Sequence, residues 1–245
     1  MRLLGVDTSS SHASVAIVEN GRLISEKMHR PDASITTSAA HSRNNHAAIL
    51  LPLIDSALGG AALTLSEISG FAVAIGPGSF TGLRIGLSTL QGLAYGSGIS
   101  VIGVSTLHAI AARINDFNGT ICAILDARKK EVYSALFRRS ACSLERLTDD
   151  AVVSCERLGE LLRQCNPAQP ILLTGDGTMT YGERLVVALG SQVRVCQNET
   201  SPTVAAAVAL LGEAHFARGA ALPQGSLSPH YLRPAEAELS SRKSA

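Results

Sequence analysis

Gly76-Pro77-Gly78-Ser79-Phe80-Thr81-Gly82-Leu83-Arg84-Ile85-Gly86 is the stretch that decides the fold of this chain. It closes an apolar strand predicted over 71–75 and opens a helix predicted over 81–95. The glycines let the backbone turn and approach another surface closely, and Thr81 can cap the helix, whose free N–H groups suit an anion. Two interpretations fit the pattern: a phosphate-binding loop of an α/β protein, or a tight strand-to-helix turn without a ligand.

Strands and helices alternate on both sides of this stretch in the first half of the chain. Asn20-Gly21 lies between two apolar segments and predicts a β-hairpin. Residues 28–45 are polar and lack periodicity, which predicts a loop. The predicted elements are strands over 3–6, 13–18, 23–26, 71–75 and 100–104, and helices over 45–58 and 81–95.

The second half repeats the order of the first. Superimposing Asp126 on Asp7 places Ser134-Ala135-Leu136 on Val15-Ala16-Ile17. Gly175-Asp176-Gly177 then falls where the first half has its glycine turn. Both halves contain a strand, an acid, a hairpin strand, a helix, a strand and Gly-x-Gly, so the pattern predicts a duplicated α/β unit.

This repeat also predicts the domain boundaries. The first lobe is expected over 1–104 and the second over 105–234. The second lobe is predicted to include a C-terminal crossing helix, opened by Ser201-Pro202, and an extended tail. Residues 235–245 are predicted to be disordered.

The composition argues against several classes of function. With 245 residues and 46% hydrophobic content the chain can build a packed core. Its net charge of +1 provides no overall field toward nucleic acid or an acidic membrane. Arg128-Lys129-Lys130, Arg138-Arg139 and Arg242-Lys243 are short basic clusters without interleaved aromatic residues, which predicts solvated surface.

Cysteine usage and hydropathy predict the compartment. The five cysteines show neither CxxC nor metal-ligand spacing, which is typical of a reducing environment. No apolar run approaches the ~20 residues that a membrane span needs. We therefore expect a cytoplasmic chain with no membrane association.

Short motifs spread over residues 1 to about 234 match one family. They are Asp7-Thr8-Ser9, the stretch 76–86, Gly103-Val104-Ser105-Thr106, Asp126-Ala127-Arg128 with Glu131-Val132-Tyr133, and Pro229-His230-Tyr231-Leu232-Arg233. Together they resemble the TsaB (YeaZ) family, the dimerisation subunit of the bacterial tRNA threonylcarbamoyladenosine complex. The resemblance implies an α/β, actin-like (ASKHA) duplicated fold with two βββαβα-type lobes facing a cleft.

The resemblance also implies a function without catalysis. A family member is a scaffold needed for threonylcarbamoylation of the adenosine beside the tRNA anticodon. It docks the catalytic subunit TsaD, helps to recruit the ATPase TsaE and forms a homodimer when alone. tRNA is then an indirect partner of this chain.

Two predicted helices have more apolar surface than one sheet face can cover. From the residues alone they either form a helix-against-helix interface or lie inside a two-layer core. Glycines at 82, 86, 92 and 96 allow close approach. In the family the first-lobe helices pair with the equivalent helices of the catalytic subunit or of a second copy, so the resemblance favours the interface. The predicted interface residues are His46, Ile49, Leu50, Leu53, Ile54, Leu83, Leu87, Leu90 and Ala94.

A nucleotide site is an alternative suggested by the acids at the strand ends. Such acids hold a magnesium-bound nucleotide in actin-like ATPases. No lysine lies near either glycine turn. We therefore expect that the chain requires no cofactor, and that ATP or ADP with magnesium binds weakly or at a partner interface. The candidate nucleotide-binding residues are Asp7, Thr8, Ser9, Gly76, Gly78, Ser79, Asp126, Gly175 and Gly177.

The enzymatic alternatives are an ATP-dependent actin-like phosphotransferase or ATPase and a metallopeptidase-like enzyme. His41 and His46 are five residues apart, which turns the second ~140° from the first on a helix, so they cannot share a metal ion. Ser79 lacks the Gly-x-Ser-x-Gly spacing of a nucleophile elbow. We predict no catalytic and no metal-binding residue. Direct tRNA binding is a third function that the sequence leaves open.

Overall fold

A computed structural model of the chain describes residues 1–30, 45–141, 143–164, 169–196, 203–219 and 226–233. The chain divides into two compact units. Met1–Arg113 and Asn198–Pro229 form the first unit, and Ile114–Gln197 and His230–Ala245 form the second. The loop predicted over 28–45 falls largely outside the described residues, and the tail predicted to be disordered over 235–245 falls entirely outside them.

Strands and helices follow in the order that the sequence pattern predicts, with some additions. The strands are β1 Arg2–Asp7, β2 Ala13–Glu19, β3 Arg22–His29, β4 Gly70–Gly76, β5 Val101–Ser105, β6 Gly119–Asp126, β7 Glu131–Ser140, β8 Ser143–Arg146, β9 Ala151–Ser154, β10 Ile171–Thr174 and β11 Val193–Val195. The α-helices are α1 His46–Gly60, α2 Phe80–Ser97, α3 Thr106–Ala112, α4 Cys155–Gln164, α5 Gly177–Leu189 and α6 Val204–Ala217.

The two sheets share one topology. The first has the order β3-β2-β1-β4-β5, and the second, read in the same direction, has β8-β7-β6-β10-β11. In both, the first three strands pair antiparallel and the last two join in parallel. This equivalence confirms the predicted duplication and the actin-like α/β fold.

The alignment of the two hairpins differs from the predicted one by a residue. Asp7 pairs with Ser14 in the first unit, whereas Asp126 pairs with Val132 in the second. Val15 is therefore equivalent to Tyr133 and not to Ser134. The cause is the connection between the paired strands, which is one residue shorter in the second unit.

The first sheet is covered on both faces. Leu4 and Val6 of β1 point into a core shared with α1 and α2, and Leu3 points into another shared with α6. α6 lies close to β1 because Gly5 has no side chain: a Cβ there would be 2.4 Å from the Ala205 carbonyl oxygen. The sheet and its two helical layers hold the end of β1 in a fixed position.

The boundary between the units differs from the predicted division into 1–104 and 105–234. α3 and α6 both belong to the first unit, because α3 packs on β4 and β5 and α6 packs on β1, β2 and β4. Thr203, not Ser201, caps α6, since its side chain accepts a hydrogen bond from Ala206 N. Among the helices of the described ranges, none combines the length and apolar character needed to cross a bilayer.

Candidate functional site

Asp7 lies at the end of β1 and is buried together with Thr8 and Ser9. One carboxylate oxygen, Oδ1, accepts a hydrogen bond from Ser9 N at 3.0 Å. Burial raises the pKa of Asp7 above its usual range, and the Ser9 hydrogen bonds with the charges of His46 and Arg113 offset only part of that effect. The Asp7 carboxylate is therefore largely shielded from solvent.

The glycine-rich loop packs directly on this strand end. A Cβ on Gly82 would lie 2.0 Å from the Thr8 carbonyl oxygen, and one on Gly78 would lie 2.5 Å from that of Ser9. Ser79 N donates to the Ser9 carbonyl at 2.6 Å, and Thr8 Oγ1 donates to the Gly82 carbonyl at 2.7 Å. The glycines therefore allow the loop to pack closely on the residues that follow β1, and the backbone of those residues fills the space beside the loop.

Two of the N–H groups at the start of α2, those of Ser79 and Gly82, are satisfied by the chain itself. Ser79 is the N-cap, because its Oγ accepts from Gly82 N at 3.2 Å and its carbonyl accepts from Leu83 N at 2.9 Å. The prediction of Thr81 as the cap is wrong, since the helix already begins at Phe80. These bonds favour a structural turn over a phosphate loop.

The glycine turn of the second unit packs at a different level. A Cβ on Gly175 would lie 2.2 Å from the Ile124 carbonyl oxygen, and one on Gly177 would lie 3.1 Å from the Leu125 carbonyl carbon. Both contacts are with residues that precede Asp126, the acid at the end of β6. In the first unit the glycines contact residues that follow Asp7. This difference explains why Asp126 is exposed while Asp7 is buried.

Asp126 is held by three neighbours. Its Oδ1 accepts from Arg128 N at 2.7 Å and from Tyr181 Oη at 3.4 Å, and its own N–H donates to Asp176 Oδ1 at 3.2 Å. Burial raises the pKa of Tyr181, and the Asp126 charge adds to that rise. Of the two acids predicted to hold a nucleotide, only Asp126 is accessible to one.

Replacing Asp7 with asparagine should change how stability depends on pH. The folded chain binds the Asp7 proton more tightly than the unfolded chain does, so this group loses its stabilising contribution as pH rises from 3.8, the ordinary pKa, through the raised value. The asparagine amide would still accept the Ser9 hydrogen bond but would not titrate. Urea unfolding should show the variant gaining stability relative to the unaltered chain as pH rises; a pH-independent difference would contradict this.

His46 lies inside the first unit, at the start of α1. Its Nε2 is 3.4 Å from the Ser11 carbonyl oxygen, and a Cβ on Gly82 would lie 3.2 Å from its Nδ1. It fills the space between the β1–β2 connection and α2, which makes it a packing residue. His41, the other member of the rejected histidine pair, lies outside the described residues.

Catalytic side chains do not gather elsewhere in the described ranges. No three His, Cys, Asp or Glu residues among them lie close enough to hold a metal ion. Cys122 and Cys155 are buried, and burial raises the pKa of the Cys155 thiol, which disfavours the reactive thiolate.

Most of the predicted interface residues lie in the core of the first unit. Ile49 and Leu53 are partly buried. The others have at most 4% of their surface exposed, so they cannot be the contact atoms of an interface, and the structure corrects that prediction. Their helices turn this side toward the sheet, where five of these side chains share a core with Leu4, Val6 and Val15: Leu50, Ile54, Leu87, Leu90 and Ala94. The buried residues are His46, Leu50, Ile54, Leu83, Leu87, Leu90 and Ala94.

A solvent-exposed surface remains on the outer side of α1 and α2, which pack against each other. Two large apolar side chains project from it: Leu51 is 53% exposed and Tyr95 is 84% exposed. Arg84 lies over the Phe80 ring at 3.9 Å, which orders the N-terminal end of the surface. We call this surface the α1–α2 face. Its exposed residues are Ala47, Ala48, Leu51, Pro52, Asp55, Thr81, Arg84, Ser88, Gly92, Tyr95 and Gly96.

The four glycines of α2 fall into two groups. Gly82 and Gly86 are required by packing within the first unit, because a Cβ at either position would lie within 2.4 Å of an atom of Thr8. Gly92 and Gly96 have no atom within 4 Å of a Cβ and lie on the α1–α2 face. A helical glycine costs about 1 kcal/mol relative to alanine. Nothing in the described part of the first unit explains that cost at Gly92 or Gly96, whereas close approach of another backbone would.

Several known proteins that are similar to this chain have names from the threonylcarbamoyladenosine pathway of tRNA. The family model described as TsaD, tRNA N6-adenosine threonylcarbamoyltransferase, matches residues 12–220. The tRNA threonylcarbamoyladenosine biosynthesis protein TsaB of Bacillus subtilis is 30% identical over 97% of this chain and 96% of its own length. The chain belongs to the TsaB (YeaZ) family. TsaB of Escherichia coli is 36% identical over 57% of this chain and 56% of its own length.

A solved structure supports the TsaB assignment. YeaZ from Pseudomonas aeruginosa aligns with a TM-score of 0.75 and 28% identity over 94% of this chain and 99% of that one. A tRNA N6-adenosine threonylcarbamoyltransferase of Carboxydothermus hydrogenoformans is 29% identical over 69% of this chain, but over only 54% of its own length. This chain thus resembles about half of that transferase.

Proposed function

We propose that this chain is a non-catalytic docking subunit in the biosynthesis of threonylcarbamoyladenosine in tRNA. The α1–α2 face carries the proposal. Gly92 on this face lowers helix stability without a reason in the described part of the first unit, and Leu51 and Tyr95 offer exposed apolar anchors on the same face. A helix pair with small residues between exposed anchors suits close packing against another helix pair.

The proposed partner is the transferase TsaD. The likeness between this chain and the C. hydrogenoformans transferase extends over 183 residues, so equivalent helices are expected in both proteins. Two related surfaces can pair about a pseudo-twofold axis in the way that identical ones pair in a dimer. For the same reason we propose that the isolated chain forms a homodimer through the α1–α2 face, and that TsaD replaces the second copy.

In the proposal, TsaE and tRNA bind after this chain has docked to TsaD. TsaE, the ATPase of the pathway, would join once the TsaB–TsaD pair has formed. Nucleotide turnover would then take place on the partners, which agrees with the filled glycine loop and buried Asp7 of this chain. Indirect contact with tRNA through TsaD is the minimal arrangement.

The proposal is tested by the modified nucleoside itself. Cells depleted of this chain should lose N6-threonylcarbamoyladenosine from their tRNA, because TsaD without its docking subunit would be inactive. Re-expression of the chain should restore it. Mass spectrometry of digested tRNA measures both steps, and an unchanged level after depletion would exclude the proposed role.

Exposed Asp126 favours an ATP-dependent enzyme as the second candidate. Asp126 is hydrogen-bonded through its N–H to Asp176, the residue before α5, and its exposed position would admit a magnesium-bound nucleotide from solvent. Equilibrium binding of ATP with magnesium should be weak or undetectable for the isolated chain and equally so for Asp126→Ala. Tight stoichiometric binding with hydrolysis, lost in Asp126→Ala, would support the enzyme instead.

A further inference from the structure

The β6–β7 connection carries the longest run of cations in the chain, Arg128-Lys129-Lys130. All three side chains are exposed. The connection is closed by two backbone hydrogen bonds, from Ala127 N to the Glu131 carbonyl and from Glu131 N to the Arg128 carbonyl, each 3.0 Å long. We call these three residues the basic tip. Its backbone is fixed at both ends, so the cations project from one short turn.

The backbone of the basic tip does not favour the residues found there. Arg128, Lys129 and Lys130 have φ values of 59°, 53° and 65°, in the left-handed region. Glycine and asparagine adopt that region far more readily than lysine or arginine. Three consecutive cations at such positions indicate that their charge matters more than the ease of closing the turn.

The duplicated fold supplies an internal comparison. The equivalent β1–β2 connection of the first unit is Thr8-Ser9-Ser10-Ser11-His12, without lysine or arginine. The equivalent hairpin of the first unit, whose connection is one residue longer, therefore forms without cations, so the duplicated fold does not require them. They are a property of the second unit alone.

Three acids near the basic tip make hydrogen bonds or ion pairs at its base. Glu131 forms an ion pair with Arg233, which also donates to the Ala127 carbonyl at 3.1 Å. Asp126 Oδ1 accepts from Arg128 N, and Asp176 Oδ1 accepts from Asp126 N. Arg233 adds a fourth cation at the base of the turn, and the net charge of these seven groups is positive.

We propose that the basic tip binds the phosphate backbone of the RNA on which the complex acts. Exposed cations on a short rigid hairpin suit phosphate contacts, which position an RNA without reading its sequence. The inference rests on the proposed function and replaces indirect contact with tRNA by a direct one through the second unit. It places RNA on a different unit from the α1–α2 face.

The test compares two pairs of charge removals in the full chain, alone and with TsaD. Arg128→Gln with Lys130→Gln removes two cations from the basic tip, and Arg22→Gln with Arg218→Gln removes two exposed cations from the first unit. Binding of an unmodified tRNA transcript is followed by fluorescence anisotropy from about 50 to 200 mM salt. The tip variant should bind about tenfold more weakly at the lowest salt, and its plot of log K against log salt should be shallower by about 2.

Two further measurements separate RNA binding from folding and docking. Lys130→Gly relieves the left-handed backbone, so it should leave the unfolding temperature equal or higher while weakening RNA binding; Arg128→Lys with Lys130→Arg keeps the charge and should keep binding. TsaD should bind all variants equally, which distinguishes failure here from failure of the docking proposal. Equal losses in the tip and first-unit variants, an unchanged tip variant, no measurable RNA binding by the unaltered complex, or loss of TsaD binding instead of RNA binding would each overturn the inference.

Discussion

Gly82→Ala should destabilise the first unit by about 3 kcal/mol. The new Cβ would lie 2.0 Å from the Thr8 carbonyl oxygen, a contact with backbone that no side-chain rotation relieves. Moving α2 away from β1 would also break the bond from Thr8 Oγ1 to the Gly82 carbonyl and the bond from Ser79 N to the Ser9 carbonyl. Urea unfolding of the purified chain measures the loss.

Gly92→Ala is the matched control for that experiment. It makes the same substitution in the same helix, at a position where nothing lies within 4 Å of the added Cβ. Alanine there should stabilise the chain by about 1 kcal/mol, because it is the better helix former. Opposite signs at the two positions are expected. Equal effects would show that α2 does not seat on β1 through Gly82.

Gly92→Arg should weaken docking to TsaD by about 3 kcal/mol, roughly a hundredfold in Kd. A long charged side chain at the centre of the α1–α2 face would hold the partner helix away and would be buried without a counter-charge. Arginine is also a better helix former than glycine, so the variant should fold at least as stably as the unaltered chain. Isothermal titration with purified TsaD measures affinity, and thermal unfolding measures stability.

Met179→Arg provides the control for docking. Met179 is 90% exposed on α5 of the second unit, so this variant adds the same charge to another exposed helix. It should bind TsaD normally and remain folded. If Gly92→Arg binds TsaD with unchanged affinity, or if both variants lose binding equally, the α1–α2 face is not the docking surface.

The sequence predicted those features that depend on local backbone chemistry. Asn20-Gly21 forms the β2–β3 turn with φ values of 50° and 76°, as a tight hairpin requires. The glycine-rich stretch joins β4 to α2 as its spacing indicated. The duplication was visible because both halves place an acid after the first strand and glycines after a later one.

The direction in which α1 and α2 face could not be predicted, because periodicity shows which residues share a side but not what covers it. Leu87 and Leu90 belong to the stripe that either a partner or the sheet of the first unit could cover, and the structure assigns them to the sheet. The four glycines of α2 are alike in sequence. Only the position of Thr8 separates Gly82 and Gly86 from the two on the exposed side.

Long-range packing accounts for the other differences. α6 is alanine-rich on every side, and Ala205 to Ala209 are all buried, which indicates deep burial but not against which sheet. Its place in the first unit depends on the space left by Gly5, 200 residues earlier in the chain. The exposure of Asp126 likewise depends on which residues of β6 the Gly175 turn contacts, and no sequence motif predicts that contact.

Amide hydrogen exchange of this chain with and without TsaD tests the docking proposal most directly. The chain alone should be measured at a concentration low enough to separate any homodimer. Addition of TsaD should slow exchange in peptides from the outer parts of α1 and α2, around Leu51 and from Ser88 to Gly96, and leave α4 and α5 of the second unit unchanged. Protection confined to the second unit, or no protection in α1 and α2 despite binding, would contradict the α1–α2 face as the docking surface.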